Sequence, residues 1–140
     1  MEYRQAGNFI VMRLDENDKI NEKIIEVCIK EKISGGVVHS IVGAVKQVEL
    51  VLEKGVQETY KQHFEINGNG NISLLEGKPK LHLHLVCGNK QTVKTGHLIE
   101  ATVEVFSEVI IQKLEGFKME RKIDQKLIEE NIILPYKLKP

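Results

Sequence analysis

The chain of 140 residues carries 20 basic and 20 acidic side chains, so its formal net charge is zero and it exerts no global pull on nucleic acid or anionic lipid. With 41% hydrophobic residues it can bury one ordinary core, and its two cysteines, Cys28 and Cys87, fall on different expected elements, which excludes a disulfide framework. No run approaches the ~18 apolar residues of a membrane span. The opening MEYRQAGNFIVMRLDEN has Arg13 inside its apolar run and does not read as a signal peptide. The expectation is a soluble, cytoplasmic protein with reduced thiols and no membrane partner.

Residues 8–14, NFIVMRL, place Ile10, Met12 and Leu14 on one face and predict a strand. DENDK then offers capping side chains, and Ile20, Ile24, Val27, Cys28 and Ile29 recur at helical spacing. A helix is expected from about Lys19 to Ile33, ended by Gly35 and Gly36. VVHSIVGAVKQVEL, residues 37–50, predicts a long strand in which Gly43 marks a bulge or a close backbone contact. EKG at 53–55 is a turn, and YKQHFEI at 60–66 is another strand. NGNGN at 67–71 reads as a turn or bulge; it is not a phosphate loop, because it lacks G-x-x-x-x-G-K-[ST] and lies between strands. LHLHLVC is a strand, GNKQTVKTG a loop or hairpin arm, and HLIEATVEVFSEVIIQKL, 97–114, a long strand of high β-propensity. From Gly116 the tail is charged, with a short helix near 123–130 and the segment ILPYKLKP. Its basic KMERK and KLKP alternate with acids and read as solvated surface.

This order predicts a single α+β domain over residues 1–140, with a core at about 8–113 and a charged extension at 114–140. One main helix would pack on a twisted, mainly antiparallel sheet. A single helix covers only part of a sheet face, so the long apolar strands 37–50 and 97–114 need a further partner, most simply other copies of the chain.

Chemistry concentrates in LHLHLVCG, residues 81–88. Leu81, Leu83 and Leu85 take one face, and His82 and His84 the other. Same-face neighbours lie about 6.5–7 Å apart at Cα, so both imidazoles can meet one ion. The same spacing suits a pair of structural histidines bonded at an interface. His39 in VVHSIV and His63 in KQHFE read as satisfied core, surface or interface residues, and Cys28 and Cys87 as buried, inert thiols. Glu100 would be a general base or a partner orienting a histidine if a catalytic metal were present, and otherwise a solvated or interface acid.

The run ISGGVVHSIVGAVKQVEL, FEINGNGNIS, GKPKLHLHLVCG and TGHLIEATVEVFSEVII resembles the PPC (plants and prokaryotes conserved) domain over residues 8–113. The resemblance implies an α+β fold with one helix packed on an antiparallel sheet, assembled as a homotrimer. It implies a histidine cluster that binds a metal, zinc, in some prokaryotic members. His82 and His84 match the family's H-x-H, and His97 its G-H-L. Prokaryotic members carry a DNA-binding label, partly from plant proteins whose AT-hook does the DNA work. No R-G-R-P occurs here, and HFEINGNGN replaces the plant G-R-F-E-I-L-S-L.

The expected function is therefore a homotrimeric binding module with a three-histidine metal site, engaging a protein partner in DNA-associated regulation; direct DNA binding has little support. The alternative is a zinc-dependent enzyme or small-ligand binder using the same histidines. One conflict stands: His97 has the parity of Ile99, Ala101, Val103 and Val105, an apolar face, whereas His82 and His84 oppose theirs. A bulge near Gly96, a sheet buried on both faces, or a neighbouring chain would each bring the three together.

Overall fold

A computed structural model describes residues 1–132 and 134–140. Ile133, the first residue of the expected ILPYKLKP segment, lies outside them. The strands are β1 (Glu2–Ala6), β2 (Phe9–Asp15), β3 (Gly36–Val51), β4 (Gln57–Tyr60), β5 (Phe64–Leu75), β6 (Lys78–Gly88), β7 (Val93–Lys113), β8 (Glu120–Ile123) and β9 (Tyr136–Leu138). The helices are α1 (Ile20–Lys30), α2 (Gln125–Glu129) and a single 3-10 turn at Glu53–Gly55. Among the described residues no helix is long and apolar enough to cross a membrane.

The α+β expectation of one helix packed on an open sheet is overturned. Strand makes up 60% of the chain and helix 14%, and the sheet closes into a barrel. The pairing shows the closure: β3 pairs with β5, β5 with β6, β6 with β7, and β7 returns to β3, all antiparallel. Apolar alternation reads alike in an open sheet and in a barrel, so the sequence could not separate them. Closure is set by bulges that bend the long strands. The β3–β7 register shifts between Val38 and Ser40, Gly43 and Ala44, Val45 and Gln47, and Glu49 and Leu50. Gly43 serves one of these bends; a Cβ there would press on the Ser107 side chain and the Phe106 carbonyl.

Ile20, Ile24, Val27 and Cys28 of α1 enter the same buried cluster as Leu81, Leu83 and Leu85 of β6 and Val103 and Val109 of β7. The helix thus contributes to the barrel core and does not form a separate layer. Its end differs from the expected glycine stop. Lys32, at φ 53°, holds the left-handed position, and the Ile33 amide donates to the Cys28 carbonyl at 2.9 Å. Gly35 and Gly36 instead lead into β3.

For the NGNGN run the turn is overturned, while an irregularity does fall there: the β3–β5 register shifts between Val38↔Gly70 and Ile41↔Gly68. Residues 67–71 lie within β5, paired to β6 from Asn67↔Val86 to Asn71↔His82. The glycines are needed for close approach: a Cβ on Gly68 would collide with Leu85 and crowd the His84 carbonyl, and one on Gly70 would collide with the His82 carbonyl. The charged tail folds back, with β8 running parallel to β5 and β9 antiparallel to β8. α2 begins at Asp124, whose carboxylate accepts from the Lys126 amide at 3.1 Å.

Candidate metal centre

Three strands assemble the histidine cluster. On β6 the burial alternates, with Leu81, Leu83, Leu85 and Cys87 inside and His82 and His84 on the outer face. The hairpin to β7 is tightened by Asn89, whose side-chain oxygen accepts from the Gln91 and Thr92 amides. It sets His97 directly opposite His84 in the antiparallel register, so the two side chains share a face. β5 borders the other edge, with Asn71 opposite His82 and Asn69 opposite His84.

The parity conflict of His97 resolves at a bulge. Glu49 pairs with Glu100 and Leu50 with Leu98, which leaves Ile99 as an extra residue. Inward-facing positions therefore run Leu98, then Ala101 and Val103, and His97 falls on the face opposite Leu98. The bulge lies three residues beyond Gly96, and no second chain is required to bring the imidazoles together.

The ring centroids of His82, His84 and His97 lie 5.2, 5.4 and 5.8 Å apart, pair by pair. One ligating nitrogen from each falls within 4.8 Å of the others. The Nε2 atoms of His82 and His84 are 3.3 Å apart. Two nitrogens bound tetrahedrally at about 2.0–2.1 Å from one zinc ion would be separated by about 3.3 Å. His97 is 8% exposed, and its Nδ1 is buried with no hydrogen-bond partner. A buried polar atom left so costs about 1–3 kcal/mol unless something occupies it.

Burial and neighbouring charge favour the neutral form of His97 and His82. Burial first, then His82, His84 and Lys80, push the His97 pKa down from 6.5 to about 4. Burial first, then His84 and Arg121, lower that of His82. Neutral imidazole is the form that ligates a metal. The donor set, its spacing and the orphaned nitrogen therefore fit an ion, and these three histidines can hold one.

Glu100 has a different occupation. Its carboxylate accepts from the Asn21 amide at 2.8 Å, the Glu22 amide at 3.2 Å and its own neighbour Ala101 at 2.9 Å. It thereby caps α1, whose first turn has no side-chain cap from Lys19. The structure thus places the Glu100 carboxylate at the start of α1, bonded to three backbone amides. His39 is exposed, stacked on Phe9 and bonded to Gln112 at 2.7 Å. His63 joins Glu104 at 2.6 Å and Glu65 at 3.2 Å. Cys28 and Cys87 are buried, which raises their pKa values to about 12 and about 11 and keeps them as thiols.

Sequence reasoning missed Arg121, which it placed on a solvated tail. Arg121 lies half-buried on β8, donating from Nε to Ser73 Oγ at 2.6 Å and from a terminal nitrogen to Asn71 Oδ1 at 2.9 Å. No local signal marks it, because its position depends on β8 pairing beside the end of β5, at Leu74 and Leu75.

The profile of the Plants and Prokaryotes Conserved (PCC) domain matches residues 1–115. The chain belongs to this family. No curated protein matches the chain. Among solved structures, a plant- and prokaryote-conserved protein from Pyrococcus horikoshii is 30% identical with TM-score 0.73, covering 86% of this chain and 87% of that one. A metal-containing protein from Archaeoglobus fulgidus is 27% identical with TM-score 0.77, over 89% and 91%. A candidate DNA-binding protein from Bacteroides thetaiotaomicron shares the fold at TM-score 0.83, with 23% identity over 90% and 91%.

Proposed function

We propose that this PCC domain is a homotrimeric, zinc-binding module in which His82, His84 and His97 hold the ion and leave a coordination position open. The observation that carries the reading is the convergence of three imidazoles, one with a buried, unpartnered nitrogen. An all-nitrogen donor set favours zinc over calcium or magnesium, which ask for oxygen ligands. When bound, zinc would supply a Lewis acid with room for an exogenous ligand. The metal-containing relative from Archaeoglobus fulgidus supports the same reading.

The trimer is supported by an outer apolar face. Phe9, Val11, Val42, Phe106 and Ile110 are exposed on adjacent strands β2, β7 and β3, and Val11 lies opposite Ile110. Such a patch argues a protein contact, and a closed ring of copies would cover it. A role in DNA-associated regulation would then run through a partner protein. Balanced charge and the missing R-G-R-P give the domain little of its own to grip phosphate.

Zinc titration against a chromophoric chelator, with sedimentation on the same samples, tests the proposal. Saturable uptake lost in the His82→Ala/His84→Ala double variant, in a particle of three 15.9 kDa chains, is expected. Absence of uptake, or a monomer, would sink the corresponding half.

A further inference from the structure

A cavity of about 70 Å³ opens beside His82, walled by Lys80, Leu81 and His82 of β6 and by Arg121, Leu134 and Tyr136 of the C-terminal arm. Among the described residues its lining includes two cations and no carboxylate. The described ion pairs include neither Lys80 nor Arg121. Arg121 is anchored by two neutral oxygens, those of Ser73 and Asn71, which fix its direction and leave its charge uncompensated. Lys80 holds its ammonium 5.0 Å from the centre of the Tyr136 ring. Half-buried cations without counter-charge are costly, and an anion entering the cavity would remove that cost.

From this we infer that the cavity takes a small oxyanion, held by Arg121 and Lys80 beside the open side of the histidine site. The inference rests on the metal reading and names the ligand class of that site. The volume suits a molecule of a few heavy atoms; sites for larger ligands span about 300–1,000 Å³. The guanidinium has its Nε and one terminal nitrogen engaged. Its other terminal nitrogen remains for the ligand, a single-point contact that either a carboxylate or a tetrahedral oxyanion can accept. Arg121, Leu134 and Tyr136 lie beyond residues 1–115, so the family core supplies the imidazoles and Lys80, and this chain's own extension supplies the guanidinium.

The test loads the full chain with cobalt(II), first measures the cobalt bound, and then follows its visible absorption while acetate or sulfate is added. Arg121→Met, Lys80→Met and the conservative Arg121→Lys are compared with the wild type. Saturable change with acetate marks a carboxylate site, and saturable change with sulfate alone marks a tetrahedral-oxyanion site; either is expected to weaken roughly tenfold or more in Arg121→Met and several-fold in Lys80→Met, with partial recovery in Arg121→Lys. Cobalt stoichiometry should be unchanged in all variants. Full cobalt binding with no anion response, or with equal responses in wild type and variants, overturns the inference and leaves the metal reading standing. Failure to bind cobalt overturns both, and is seen before any anion is added.

Discussion

Along β6, Leu81, Leu83, Leu85 and Cys87 are all buried in the main apolar cluster, whereas no described residue of 116–140 is buried. The two regions meet at His82 and are held by different forces. The barrel rests on apolar burial, worth about 1.5–3 kcal/mol for each large side chain enclosed. The arm rests on a few hydrogen bonds, among them Leu74 to the Met119 carbonyl at 2.7 Å and Lys139 to the Glu120 carbonyl at 2.8 Å. Each such bond contributes about 0.5–1.5 kcal/mol net. The histidines therefore sit on the rigid part, and the cations facing them are carried partly by the part that opens first.

The strongest way to break this contrast is Leu83→Ala. Leu83 is fully buried, and its truncation should cost about 2–5 kcal/mol in urea unfolding. Next comes Gly70→Ala, whose added Cβ meets the His82 carbonyl and forces β5 from β6. A loss of about 1–3 kcal/mol is expected, together with weaker metal uptake, because the strand that carries His82 must shift.

A pH series sharpens the comparison. In the metal-free protein an unfolded histidine binds its proton near pH 6.5, while folded His97 binds it near 4. Between these values the unfolded chain holds more protons, so stability falls as pH drops from about 6.5 to about 4 and levels off below. His82 is lowered too and adds in the same direction. A decline of roughly 1–3 kcal/mol between pH 7.5 and 4.5 is expected, and His97→Asn should flatten it. The smallest effect belongs to the arm: Ile128, 41% exposed, should change stability by no more than about 0.5 kcal/mol when replaced by alanine.

Much of the site was legible in the sequence, because alternation on a strand fixes which side chains share a face. His82 and His84 followed from LHLHLVC directly, and His97 from the G-H-L of the family pattern. Its position in the fold did not follow, since one unpaired residue, Ile99, inverts the phase of β7 and leaves no local mark. Barrel closure was hidden for the same reason. NGNGN was misread as a turn because asparagine and glycine favour turns, while here the glycines let two backbones approach. Arg121 was invisible, as its neighbours Ser73 and Asn71 lie 48 and 50 residues away in sequence.

The central claim is that the outer face of β6 and β7 is a metal site. Elemental analysis of untagged protein, alongside the His82→Ala/His84→Ala double variant, tests it most directly. The account predicts about one zinc ion per chain in the wild type and none in the variant. A wild type without metal even after zinc is supplied would contradict it, and the three imidazoles would then be polar contacts of an interface.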